Sequence, residues 1–265
     1  MAIKIIAGGD SFVWGSELAD STHGGVNGYS KNSFAALLAK PYEYVCAAYP
    51  GNGNDAITRN TIINCEKYKN DKVGLIISWT FPGRYEFNFS FDKIANWQTI
   101  NHWTIDNQFY DDNYEHKELI KFYSDRAKKQ GIYDFAVNYF KYVGSSEYWE
   151  IYSTLKEIVF LQSYLISNRI PYMFTCADAV FLNSYTVTNN DETIAALYKQ
   201  IDLDKWFLFP GKKGFYTWAI ENKYPIGQTH PLEESHANAA QLMKDKFNEL
   251  VKKHLEQNSI RNSIS

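Results

Sequence analysis

The sequence predicts an α/β fold built on a central parallel sheet, and three observations carry that expectation. Ile3 to Ala7 and Val73 to Trp79 are apolar runs with at most one charge, the pattern of strands covered on both faces. Tyr44 to Ala48 is a shorter run of the same kind. Between them lie Ser30 to Ala39 and Asp55 to Tyr68, both with helical spacing, so strand and helix alternate as right-handed parallel crossovers require.

Each element has a local reason. The first helical segment opens on polar residues from Ser30 and is stopped by Pro41. Pro50-Gly51-Asn52-Gly53-Asn54 is a dense turn signal after the second strand, and the helix that follows puts Ile57, Ile62 and Ile63 on one face. Pro82-Gly83 closes the third strand. From Tyr85 to about Tyr114 the chain is polar and aromatic with no helical period, and only Tyr85 to Phe91 alternates. This stretch reads as the start of an insertion spanning about 85–145. Glu115 to Gln130 and Glu147 to Asn168 read as helices, the second strongly amphipathic, and Pro171 to Cys176 as the fourth strand. A helix at Glu192 to Gln200, an edge strand at Trp206 to Phe209 and a long helix at Leu232 to Leu255 complete the series. With no repeat or low-complexity segment, residues 1–265 are expected to form one domain.

Composition narrows the function. A formal charge of −3 offers no basic field for a phosphate backbone, so nucleic acid is not an expected partner. No apolar run approaches the roughly 20 residues of a membrane span, and the few apolar residues before Gly8 are too short for a signal-peptide core. No membrane partner and a cytoplasmic location are the resulting expectations. Cys46, Cys65 and Cys176 lie far apart in apolar surroundings and read as reduced core residues. Aromatic residues reach 17% and crowd into the insertion, Trp97 and Trp103 among them, where plain packing, an oligomer contact (a homo-oligomer) and a sugar-stacking platform are the competing readings in that order.

The chemistry-bearing residues converge on one rim. In an open parallel sheet, ligands bind at the carboxyl ends of the strands. Gly8-Gly9-Asp10-Ser11 follows the first strand, Pro50-Gly51-Asn52-Gly53-Asn54 the second and Ser78-Trp79-Thr80-Phe81-Pro82-Gly83-Arg84 the third, while His230 precedes the terminal helix. Gly8-Gly9-Asp10-Ser11 alone permits a plain capped turn. In company with His230 it reads as a presented nucleophile, with glycine turns offering N–H donors and a histidine serving as base. Asp10 reads as a structural hydrogen-bonding residue under Ser11. His236 lies six residues after His230, with no third ligand, so the pair makes no metal site. Lys212-Lys213 lacks the phosphate-loop pattern and the first turn lacks dinucleotide spacing, so no cofactor is expected. Arg59 reads as an ordinary helix cation, and Arg84 as a group for an anionic substrate moiety or an oxyanion.

These residues resemble the SGNH (GDSL-type) hydrolases, whose flavodoxin-like fold is a three-layer α/β/α sandwich. Gly9-Asp10-Ser11-Phe12-Val13-Trp14-Gly15 is similar to that family's first block, Pro50-Gly51-Asn52 to its second and His230-Pro231 to its last. The resemblance implies Ser11 as nucleophile, His230 as base and the N–H groups of Ser11 and Gly51 as oxyanion donors. It also implies an ester substrate, such as an O-acetyl group on a carbohydrate or another small molecule. Two positions depart from the pattern. Phe81 stands about where the family's donor Asn falls, leaving the third donor missing or supplied by Asn54, Thr80 or Arg84. Gly227 stands where the family's acid sits, three residues before the histidine, so a Ser-His dyad steadied by a backbone carbonyl is expected. By analogy with triad mutants, losing the acid costs up to about 10⁴ in rate and losing a donor roughly 10² to 10³. A non-catalytic binding or virion-associated domain is therefore the competing reading. Asn54-Asp55-x-Ile57-x-Arg59 and Trp79-Thr80-x-x-x-Arg84 further resemble a branch found among tailed-phage genes.

Overall fold

The computed structural model describes residues 3–22, 28–89, 96–105, 117–183 and 191–256. Strands β1 (Ile3–Gly8), β2 (Glu43–Cys46) and β3 (Lys72–Trp79) form where the apolar runs place them. Beyond them come a hairpin, β4 (Tyr85–Phe89) and β5 (Asn96–Ile100), and a last strand, β6 (Tyr172–Cys176). The main sheet has the order β2-β1-β3-β6, parallel throughout. Its order turns back beside β1, so the carboxyl ends of β1, β2 and β3 share one edge.

Strand periodicity of two divides the core between the faces of the sheet. Ile5, Ala7, Ile76 and Met173 pack with α2 (Phe34–Ala39), α9 (Phe215–Glu221) and α10 (Glu233–Phe247) through Phe34, Leu38, Trp218 and Met243. Ile6, Leu75, Ile77 and Phe174 pack with α3 (Asn54–Lys67), α6 (Glu147–Ser167), α7 (Val180–Asn183) and α8 (Glu192–Tyr198) through Ile57, Leu155, Ile158, Leu161, Phe181 and Ile194. The result is the three-layer α/β/α sandwich that the sequence predicts.

The insertion has its own small core. Tyr85 and Ile100 of the hairpin pack with Ala127 of α4 (Lys117–Lys129), Ala136 of α5 (Tyr133–Tyr139) and Phe140. Phe87 meets Phe135 edge-on at 4.8 Å between centroids and Tyr139 at 5.0 Å. Packing among themselves thus occupies many of the aromatic residues, the first of the three readings. Arg59 is more than a surface cation. It holds Glu86 of the hairpin through Nε (2.8 Å) and Nη2 (2.5 Å), while its guanidinium lies 4.6 Å from the centroid of the Trp97 ring.

Several expectations need correction. Ile63 is 53% exposed while Ile57 is fully buried, because six residues make about one and two-thirds turns and leave the two side chains about 120° apart around the helix. Trp206 makes a single parallel bridge to Phe174 rather than a strand. Strand β5 and helices α5 and α9 were not expected from the sequence: the aromatic segments that form them have no clean period. Residues 90–95 and 106–116 of the expected insertion and the segment after 256 lie outside the described residues.

The division of the core gives a direct expectation for urea unfolding. Leu75→Ala, on the central strand and fully buried, lowers stability by about 2–5 kcal/mol. Ile63→Ala stays within about 0.5 kcal/mol of the parent protein.

Candidate active site

Strand β1 runs into Gly9 and Asp10, and a one-turn helix, α1 (Ser11–Trp14), begins at once. Four residues do not hold a helix unaided in water, so this turn depends on what surrounds it. Asp10 caps it, accepting the Phe12 N–H at 3.0 Å through Oδ1. Its other oxygen accepts the Thr80 hydroxyl at 2.5 Å and Arg84 Nη1 at 3.2 Å, and the same Arg84 nitrogen donates to Thr80 Oγ1 at 3.0 Å. Asp10 is wholly buried, so the end of β3 clamps the turn that carries Ser11. Thr80 and Arg84 therefore support the turn. The Thr80 hydroxyl proton is committed to Asp10 and is not available to an oxyanion.

The second rim segment is tied to the first through one carbonyl. Gly9 O accepts Asn52 Nδ2 at 3.0 Å and the Tyr49 N–H at 3.4 Å. Asn52 N–H also closes the turn onto Tyr49 O at 3.1 Å, and Gly51 sits at its third position with φ +86°. This is the pattern of a type II turn after Pro50, which favours glycine there. A Cβ at Gly51 would meet nothing within 4 Å, so the turn faces open space. Among the described residues, neither the Ser11 nor the Gly51 N–H has a protein acceptor.

Asn54, expected as a possible third donor, is committed elsewhere. Its Oδ1 accepts the Thr80 N–H at 2.9 Å, and its Nδ2 donates to Thr154 Oγ1 at 3.1 Å and Thr80 O at 3.4 Å. A primary amide has two donors and one carbonyl oxygen, and here both ends are in use inside the protein. The site thus retains two unclaimed backbone donors.

His230 sits in the loop before α10, held by Gly227 N–H to His230 O at 2.8 Å and Leu232 N–H to Pro225 O at 3.0 Å. Its ring contacts that of Phe12, the residue after Ser11, with centroids 5.2 Å apart. The expected backbone carbonyl does not hold the imidazole. A carboxylate does: His230 Nδ1 lies 2.7 Å from Glu17 Oε1. Glu17 Oε1 also accepts the Thr229 hydroxyl at 2.9 Å, and both its oxygens lie 3.2 Å from the Thr229 N–H. Burial alone would raise the Glu17 pKa, but the His230 hydrogen bond and charge, followed by the Thr229 bonds, bring it down from 4.5 to about 2. The carboxylate is ionised and can only accept, so Nδ1 carries a proton, and in the neutral form of the ring the lone pair falls on Nε2. Among the described residues no hydrogen bond joins Ser11 to His230.

Glu17 is the functional residue that sequence reasoning missed. It lies 213 positions from His230 with no fixed offset from it, and it is presented by a left-handed backbone (φ +69°) outside any helix. The one hint in the sequence is the glycine at 227. His236, in contrast, is fully buried and packs: its Nδ1 accepts the Phe34 N–H at 3.1 Å and its ring stacks on Phe34. Burial, with a smaller contribution from His230, lowers its pKa to about 3, so it stays neutral.

No protein-family model and no curated protein matches the chain. Solved structures similar to it include a psychrotrophic esterase, EstA, from Pseudoalteromonas sp., with a TM-score of 0.44 and 10% identity over 96% of this chain and 98% of that one. Another is an acetyl xylan esterase, Est2A, from Butyrivibrio proteoclasticus, with a TM-score of 0.41 and 12% identity over 93% of this chain and 63% of that one. At these scores the likeness carries no weight for the chemistry, which rests on the geometry.

The depressed Glu17 pKa makes a signed prediction. A group whose pKa is lower in the folded state stabilises it above the unfolded value and ceases to do so as pH falls through the folded one. The stability contributed by Glu17 is therefore complete above about 4.5 and is lost on acidification toward about 2. In thermal melts across that range, the parent protein loses more stability than Glu17→Gln does.

Proposed function

We propose that the protein is a serine ester hydrolase of the SGNH (GDSL-type) kind. The observation that carries this reading is His230: its Nδ1–H is held by an ionised carboxylate, which makes Nε2 the lone-pair nitrogen of the neutral ring, next to the segment that bears Ser11. Ser11 Oγ attacks the ester carbonyl while His230 Nε2 takes the hydroxyl proton. The N–H groups of Ser11 and Gly51 receive the negative charge that develops on the carbonyl oxygen. Collapse expels the alcohol, which takes the proton from His230. Water activated by the same nitrogen then attacks the acyl-enzyme and releases the acid.

Two donors rather than three favour an ester over the less reactive amide. The sequence resemblance supports an O-acetyl group, on a carbohydrate or a small molecule, as the acyl group removed. The missing Ser11–His230 hydrogen bond favours a second reading, a binding domain without chemistry. Such bonds are often long before substrate binds, and a binding domain has no need of a fixed imidazole tautomer next to a capped serine. The hydrolase is the better reading.

Intact mass after exposure to a fluorophosphonate probe tests it. We expect one adduct on the parent protein and none on Ser11→Ala or His230→Ala, and a fall of about 10⁴ to 10⁶ in kcat for both variants on an acetyl ester. An unlabelled parent protein, under conditions that label an ordinary serine esterase, favours the binding domain.

A further inference from the structure

We infer that Glu17 is the acid that positions the base of this site, and that Gly227 is the vacancy that lets it do so; the inference rests on reading Ser11 and His230 as nucleophile and base. A Cβ placed at Gly227 would overlap Glu17 Oε2. Any side chain at 227, including the acid that stands there in the resembled family, is thus incompatible with Glu17 as it lies. Among the described residues the acid beside His230 Nδ1 is Glu17, which comes out of the segment that also carries Ser11.

Four further features fit an acid held for a purpose. Glu17 has a positive φ, which non-glycine residues adopt rarely and keep only where other contacts impose it. Its contacts are those of a docking clamp: Thr229 gives both its N–H and its hydroxyl to the carboxylate, and His230 adds Nδ1–H. The side chains of Glu17 and His230 are only 13% and 15% exposed, so water competes weakly for these bonds. Ser11 and Glu17 flank Gly15, whose φ of +78° ends α1 and turns the chain back. One short segment therefore supplies nucleophile and acid, and the loop before α10 docks its histidine onto Glu17.

Glu17 is in this sense a positioning residue. It fixes the imidazole tautomer and stabilises the imidazolium formed when Ser11 gives up its proton. If Glu17 were only a clamp, its amide would still accept the Thr229 and His230 bonds at some cost in stability, and kcat of the folded protein would not change. Glu17→Gln, which keeps the size and the capacity to accept a hydrogen bond, separates the two.

The test measures kcat, KM, their pH dependence and the proton spectrum of His230 in the parent protein, Glu17→Gln, Glu17→Ala, Gly227→Asp and the double variant Glu17→Ala/Gly227→Asp. We expect Glu17→Gln to lower kcat by about 10³ to 10⁴, with KM changed by a few-fold at most. Gly227→Asp alone is impaired, because two acids contend for one space. The double variant recovers at least about tenfold over Glu17→Ala, since the acid returns from the other side. A strongly downfield Nδ1–H resonance is expected in the parent protein, absent in Glu17→Ala and restored in the double variant. Probe labelling of Ser11 with a Glu17→Gln protein as active as the parent, or a parent spectrum without the downfield resonance, overturns the inference while leaving the hydrolase reading intact. A parent protein that shows the resonance but neither labels nor turns over overturns the hydrolase reading and, with it, the inference.

Discussion

The buried carboxylate of Asp10 joins three parts of the molecule that the chain brings to one edge. It caps the turn at the end of β1, takes the hydroxyl of Thr80 at the end of β3 and pairs with Arg84 two residues beyond Pro82. Magnitudes show which of these matters most. A helix cap contributes about 1 kcal/mol. Removing one partner of a buried charge pair costs about 3–5 kcal/mol, because the remaining charge is left buried without its counter-charge. Loss of Arg84, whose side chain is only 16% exposed, is thus expected to cost more than loss of the α1 cap alone.

The remaining parts of the site are attached to the same turn by single, identifiable contacts. Gly9 O receives Asn52 and Tyr49, which sets the Gly51 turn beside Ser11. Asn54 ties the Thr80 backbone to α3 and α6, which commits its amide to structure rather than to charge on a substrate. Glu17 brings in the loop that carries His230. The sandwich provides stiffness and a common edge, and these contacts decide which groups face outward from it.

Much of this was legible in the sequence, and the limits have physical causes. The strands of the main sheet were legible because they are buried on both faces, which leaves apolar runs such as Ile3 to Ala7. The turns that carry Ser11 and Gly51 were legible because turns at strand ends need glycine, proline and capping residues at close spacing. Ile63 was misplaced because apolar residues on a helix are not all buried. The insertion was poorly legible because its rings pack edge to face from several short elements, which imposes no period. Glu17 was invisible for a different reason. Its partner is fixed by tertiary docking across 213 positions, and the glycine that makes room for it reads in the sequence as a missing acid.

The central claim is that Ser11, the two free N–H groups and the Glu17-held histidine form one reacting centre. A crystal structure of the protein after reaction with a small phosphonate ester tests it most directly, because the adduct imitates the tetrahedral intermediate. We expect phosphorus on Ser11 Oγ, one phosphonyl oxygen within hydrogen-bond distance of both the Ser11 and Gly51 N–H groups, and His230 Nε2 facing the leaving-group side while Nδ1 stays on Glu17. Phosphorus on another residue, or a phosphonyl oxygen turned away from Gly51 with His230 displaced, would contradict it.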